Sequence, residues 1–307
     1  MRKCVPILVT ASIALAAVPA TSAGLQMGIG DNSSRMFAQP YYRALHTTIS
    51  RYVAPYDVAD RPRDLAAVNA WITAAEAQHV QPFIAFYHSR ARPNELPSVA
   101  KYALEVKRFI ALHPRIKVYS AWNEANRGRA TKAPGDGSYR GPDPRHAAGY
   151  YLALKSACAS CTIVGLDVLD STNIASTIRY IRAFQRYARG RLPTIWGLHN
   201  YSDTNRFRST GTRAVLATVR GRLWLTETGG VVKFGSEFPN HHGAGLKRAK
   251  KAITYMFRLA ASNHRIARLY IFDWFGGTSS VRFDAGLVDR KGKPRPGYSV
   301  VRKHLRG

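Results

Sequence analysis

The chain reads as a single α/β domain of the (β/α)8 barrel class, and three observations predict it. Eight short apolar runs rich in β-branched and aromatic residues alternate with eight stretches of helical character. Most of the runs are apolar throughout instead of alternating with polar residues, as parallel strands covered on the outside by helices require. No linker, repeat or low-complexity tract divides residues 24 to 307, and eight β-then-α units fit within that length.

The strand-like runs end near Gly30 (Leu25 to Gly30), Val53 (Ile49 to Val53), Tyr87 (Pro82 to Tyr87) and Trp122 (Ile116 to Trp122). Four more end near Leu169 (Thr162 to Leu169), Asn200 (Thr194 to Asn200), Glu227 (Arg222 to Glu227) and Trp274 (Leu269 to Trp274). Between and after them lie the helical stretches Arg35 to His46, Asp64 to Gln78, Leu96 to Leu112 and Ala147 to Ser156. The remaining four are Thr172 to Tyr187, Thr212 to Val219, Leu246 to Ala261, and Gly297 to His304. Asn94-Glu95-Leu96-Pro97 and Asp170-Ser171 supply helix-start signals. An open doubly wound sheet is the competing architecture. Against it, Gly28-Ile29-Gly30-Asp31-Asn32-Ser33 lacks the third glycine of a dinucleotide fingerprint after the first strand.

Residues 1 to 23 have the layout of a secretory signal: Arg2-Lys3, an apolar run from Val5 to Val18, then small residues to Ala23. Cleavage is expected near Ala23, leaving residues 24 to 307 as an exported, secreted or periplasmic catalytic domain. The apolar run is short for a bilayer span, so a membrane anchor is the weaker reading. The formal charge is +28, from 46 Lys and Arg against 18 Asp and Glu. Such a field attracts polyanions, among them acidic polysaccharide, although a solvated basic surface explains the same count. No recognition motif for nucleic acid accompanies the charge. In an oxidising compartment Cys158 and Cys161, three residues apart, are expected to form a local disulfide. A redox pair would open a helix after a strand, and a zinc site would need two further ligands.

In an eight-unit barrel the chemistry comes from the C-terminal ends of the strands. Of only six glutamates, two stand there, Glu124 in Val-Tyr-Ser-Ala-Trp-Asn-Glu and Glu227 in Arg-Leu-Trp-Leu-Thr-Glu. Cleaving an acetal needs a proton for the leaving oxygen and a negative group for the oxocarbenium carbon, which two carboxylates on opposite walls of a cleft supply. Longer glycine-containing loops after the fourth run (Asn126 to Arg145) and the seventh (Thr228 to Gly245) would flank them.

On these residues the chain resembles the clan A glycoside hydrolases, especially the family 5 cellulase-like and family 39 xylosidase-like branches. Asn123-Glu124 matches the clan's acid/base glutamate preceded by asparagine, and Glu227 matches its nucleophile. The resemblance further implies that Arg51 holds the nucleophile ionised and that His88 contacts sugar. It also implies that His199 and Tyr201 form the clan's His-x-Tyr element, that Asn123 binds the sugar 2-hydroxyl, and that Trp274 is the aromatic floor under the cleaved sugar. The match departs after each acid, at Ala125-Asn126 and at Thr228-Gly229-Gly230.

The electrostatics predict the same roles. Arg51 and Tyr201 would keep Glu227 charged, while Glu124, facing that anion, would have a raised pKa and carry the proton. A retaining hydrolase of β-glycosidic bonds follows, acting on a carbohydrate substrate. Arg127, Arg129, Lys132, Arg140, Arg145 and Lys233 on the flanking loops suggest an anionic one. A non-catalytic barrel binding carbohydrate or an anionic polymer is the alternative; it would have a blocked cleft or an incompatible carboxylate spacing. His241-His242 has no third ligand at fixed spacing, and neither a metal nor another cofactor is implied.

Overall fold

The structure is a computed structural model, and it describes residues 24–128, 141–278 and 280–306. Residues 1–23, with the expected signal, and Arg129, Lys132 and Arg140 lie outside the described residues. Eight parallel strands close into a barrel: β1 (Gln26–Gly30), β2 (Ile49–Pro55), β3 (Gln81–Tyr87), β4 (Val118–Ser120), β5 (Thr162–Leu169), β6 (Ile195–His199), β7 (Arg222–Thr228) and β9 (Ile266–Phe272). Closure is made by β1 on β9, with Gln26 opposite Arg268 and Gly30 opposite Phe272. The Asp31 carboxylate extends that seam, accepting from the backbone N–H groups of Trp274 and Phe275 at 3.1 Å each.

The strands are coated by α1 (Pro40–Arg43), α2 (Pro62–Glu76), α3 (Val99–Leu112), α4 (Pro144–Ala157), α5 (Ile174–Tyr187), α6 (Tyr201–Asn205), α7 (Thr210–Thr218), α8 (Ala244–Ala261) and α9 (Pro296–Arg306). Their starts follow local chemistry. The side chains of Ser98 and Asp143 accept from backbone N–H groups of the first turns of α3 and α4, and Pro occupies the first turn of α1, α2 and α4. The first expected helix is split, because Pro40 supplies no N–H to continue the short 3-10 turn Ser34–Met36. Cys158, just past α4, is bonded to Cys161 as expected.

The barrel floor is packed. Ile49, Phe83, Val118, Val164, Trp224 and Tyr270, from six strands, form a buried plug. Above it the interior turns polar, and the Arg51 guanidinium stands 5.6 Å over the Phe83 ring. A second sheet has no counterpart in the sequence reading. In it β8 (Lys233–Phe234) pairs antiparallel with β10 (Phe283–Asp284), stitching the loop after β7 to the segment after β9. Among the described residues no helix is long and apolar enough to cross a membrane.

Candidate active site

A cavity of about 570 Å³ opens where the strands end, and Asn123, Glu124, Tyr201 and Glu227 all line it. One oxygen of Glu124, one of Glu227 and one ring nitrogen of His199 lie within 4.8 Å of one another. Closure of the barrel therefore brings together two acids that are far apart in the chain.

Glu227 is delivered from within β7, opposite His199, where the pairing with β6 and with β9 shifts register. Its Oε2 accepts from Arg51 Nη1 at 2.9 Å, and its Oε1 accepts from the Tyr201 hydroxyl at 3.1 Å. Arg51 is 1 % exposed, so this ion pair is shielded from solvent. The same guanidinium donates through Nη2 to Asn123 Oδ1 at 2.6 Å and to Asp167 Oδ2 at 3.2 Å. Removing one partner of such a buried pair would strand the other's charge, at a cost of about 3–5 kcal/mol.

Glu124 arrives differently. Strand β4 stops at Ser120, but the chain beyond it stays pinned between its neighbours, by Asn123 N–H to Phe86 O and Ala125 N–H to Asp167 O, both at 2.8 Å. Between these anchors Glu124 adopts φ 46°, a left-handed conformation uncommon for a residue with a side chain and typical of functional sites. Its Oε1 lies 3.1 Å from His199 Nδ1, and its Oε2 accepts from Arg127 Nη1 at 2.6 Å. Burial pushes the Glu124 carboxyl up, but the hydrogen bond and charge of His199 and the charge of Arg127 outweigh it and hold it at about 2. The expectation of a raised pKa is thus corrected: two cations face Glu124 directly, while Glu227 is already engaged by Arg51 and Tyr201.

His199 lies wholly beneath the carboxylates. Burial lowers its pKa, but the charges of Asp167 and Glu227 prevail and push it up to about 10. With Glu124 at Nδ1 and Asp167 Oδ1 3.3 Å from Nε2, the ring is placed to donate on both sides as an imidazolium. The proton of the His199 to Glu124 contact therefore resides on His199 Nδ1, and Glu124 rests as a carboxylate. Asp167, on β5, has no exposed surface; burial pushes its carboxyl up, but His199 and Arg51 bring it below the ordinary aspartate range. Space for it exists because β6 has Gly197 alongside: a Cβ there would stand 2.5 Å from Asp167 Oδ1.

Two expected sugar contacts are corrected. Trp274 is 0 % exposed and packs edge-on against Tyr42 and Tyr298, because β9 ends at Phe272 and the chain turns inward under Asp31. The aromatic residues on the cavity wall are Tyr87, Tyr201, Phe234, Phe238, Phe272 and Phe283. His88 is buried against Tyr87 and Trp122 outside the cavity wall, and burial lowers its pKa to about 4 despite a hydrogen bond to the Glu95 backbone. Arg51 lies against Glu227, the contact implied by the role the resemblance gave it, and His199 sits buried between Glu124 and Asp167. Asp167 and Arg127 join the constellation without having been singled out as members of it. The signal for Asp167 was available, as the lone acid inside an otherwise apolar strand.

Glu124, His199 and Glu227 are spaced as a metal site could be. The donor set argues for another use, since Arg51 and Arg127 already engage the two carboxylates and both ring nitrogens of His199 face acids. Three carboxylates meet three basic groups, so a dication would enter against two guanidinium groups. His241 and His242 are exposed in a 3-10 turn ahead of α8 and join no such cluster among the described residues.

No family model and no curated protein matches the chain. Solved structures do. A GH5_18 glycoside hydrolase from Streptomyces cattleya, in complex with Manb1-4GlcNAc, superposes with a TM-score of 0.65 at 13% identity, covering 92% of this chain and 80% of that one. A structure reported for fungal beta-1,4-galactanases gives 0.64 at 12% identity, covering 91% and 99%. A family 39 glycoside hydrolase from the gut symbiont Bacteroides cellulosilyticus WH2 gives 0.56 at 15% identity, covering 92% of this chain; the chain spans 63% of that structure's length. With its closed eight-strand parallel barrel, the chain has the fold of the clan A glycoside hydrolases.

Proposed function

We propose that the protein is an exported retaining glycoside hydrolase acting on β-linked sugars. The observation that carries the reading is the placement of Glu124 and Glu227 across one open cavity, with oxygens within 4.8 Å, over a buried arginine. Retaining enzymes place their carboxyl groups about 5–5.5 Å apart and inverting ones about 6.5–9.5 Å apart, so the close spacing favours the covalent route. The similar structures include proteins named as beta-1,4-galactanases and as a xylanase, which supports a β-glycan here.

In the first step a Glu227 oxygen bonds to the anomeric carbon as the glycosidic C–O bond breaks, and the departing oxygen receives a proton from Glu124, which rests ionised and takes that proton up before the step. In the second, Glu124 takes a proton from water, the water oxygen bonds to the anomeric carbon, and Glu227 leaves. Arg51 and the Tyr201 hydroxyl stabilise Glu227 whenever it is a free carboxylate. Asn123, anchored by Arg51, faces the cavity where the sugar 2-hydroxyl would lie. The binding-only alternative expects a blocked cleft or a carboxylate spacing incompatible with hydrolysis, and the open cavity and the oxygens within 4.8 Å speak against it.

Incubating the protein and its Glu227→Ala variant with β-glycans of several backbones tests the reading. Hydrolysis is expected from the wild type alone, with the β-anomer formed first by proton NMR. Wild-type rates in the variant would remove Glu227 as nucleophile, and an α-anomer formed first would overturn retention. Export rests on residues 1–23; secreted protein beginning near Gly24 by N-terminal sequencing is the expected outcome.

A further inference from the structure

Both oxygens of Glu124 are occupied by basic donors, and the two donors differ in freedom. His199 is fully buried and held at Nε2 by Asp167. Arg127 has a side chain 58 % exposed. Its backbone is fixed: the Arg127 N–H donates to Glu124 O at 2.8 Å, and Gly141 sits so close that a Cβ there would be 2.2 Å from Arg127 O. The preceding Asn126 is tied to Leu169 by two 2.8 Å hydrogen bonds. Only the guanidinium can move.

A general acid must turn one O–H toward the glycosidic oxygen, and Glu124 has no oxygen to offer while Arg127 caps Oε2. Among the described residues lining the cavity, Arg127 is the only cation; Glu237, Asp170 and Glu227 are the other charged-type groups there. Glu237 is engaged by Arg206, Asp170 by the N–H groups of Ser202 and Asp203, and Glu227 by Arg51 and Tyr201. Of these acids only Glu227 acts on Arg127 through its charge, and it is itself held by Arg51 and Tyr201. A planar, forked donor of this kind is matched by a carboxylate or sulfate on an incoming ligand.

Resting on the glycosidase reading above, we infer that the substrate is an anionic β-glycan whose acidic group draws Arg127 off Glu124, so that the acid/base carboxyl is armed only when such a substrate is bound. Once freed, Oε2 binds a proton from solvent and presents it to the glycosidic oxygen. The groups that set this proton affinity are His199 from β6, Arg127 from the loop after β4, Glu227 from β7, and, one contact further, Arg51 from β2 and Asp167 from β5. Tyr87 at the end of β3 faces Arg127. A neutral glycan leaves the pair closed and is cleaved poorly.

The test uses protein carrying carbon-13 at the glutamate carboxyls, of which the chain has six, with Glu124 identified by its loss in Glu124→Gln. The Glu124 signal is titrated alone, with oligosaccharides containing β-linked glucuronate or mannuronate, and with neutral cello-, xylo- and galacto-oligosaccharides. Its midpoint is expected to rise by at least about one pH unit with an acidic oligosaccharide and in Arg127→Ala, and to stay put with the neutral ones. If no acidic oligosaccharide moves it, or a neutral one moves it equally, the inference is overturned, whether or not the protein cleaves glycans. In kinetics, the wild type is expected to favour acidic over neutral glycans by about tenfold or more in kcat/KM, and Arg127→Ala to lose that preference. An unchanged preference in a folded Arg127→Ala variant would overturn it too. Glu227→Ala hydrolysing at wild-type rate would instead sink the glycosidase reading and leave the titration result standing.

Discussion

The two glutamates are the same residue at the same end of the same barrel, yet their walls are built on different terms. Glu227 sits within its strand, paired opposite His199, and its partners Arg51 and Tyr201 are fixed by the packed interior. Glu124 lies beyond its strand, in left-handed backbone, with one partner buried and the other reaching in from an exposed loop. The difference teaches how one fold can hold one carboxylate in a permanent state and leave the other adjustable: a buried ion pair has no competitor, whereas an exposed arginine can exchange partners.

The largest way to break the contrast is Arg51→Met. It leaves Glu227 and Asp167 buried without their guanidinium, so unfolding free energy should fall by about 3–5 kcal/mol in urea titrations, with hydrolysis lost as well. A variant as stable as the wild type would mean that the fixed wall is not fixed by this pair. Tyr201→Phe removes one hydrogen bond to a charged acceptor on the same wall. A fall in kcat/KM of roughly 10- to 100-fold is expected with little change in folding.

The adjustable wall should show itself through pH. The folded pKa of Glu124 is lowered to about 2, so its stabilising effect is complete above its unfolded pKa and fades as pH falls toward 2. That of His199 is raised to about 10, so its effect is complete below its unfolded pKa and fades as pH rises toward 10. The stability difference between wild type and a Glu124→Gln/His199→Gln double variant should therefore be greatest between about pH 4.5 and 6.5. A difference flat from about pH 3 to about pH 9 would refute the coupled pair. The smallest effect belongs far from both walls: replacing Cys158 and Cys161 with serine should cost about 2 kcal/mol, as a very short loop allows, and leave kcat/KM unchanged.

Much of this molecule was legible before folding. Eight apolar runs and the stretches between them carry their periodicity in adjacent residues, and the barrel strands fall on those runs. Glu124 and Glu227 stood out because an acid at the end of an apolar strand contradicts its surroundings. Asp167 carries a similar contradiction but sits mid-strand, where only closure of the barrel shows it meeting Arg51 and His199. The two-residue strands β8 and β10 are too short for any periodicity, so the aromatic wall they bring could not be read.

The sequence by itself therefore determined the order of strands and helices, the barrel they close into, and the strand ends on which its two principal acids stand. Only the tertiary structure decided that Phe272 and not Trp274 faces the cavity, that His199 is buried between Glu124 and Asp167, and that Arg127 caps Glu124. The physical reason is range. Secondary structure follows from local spacing, whereas proton affinity and exposure are set within a few ångströms by groups that the chain brings from far apart.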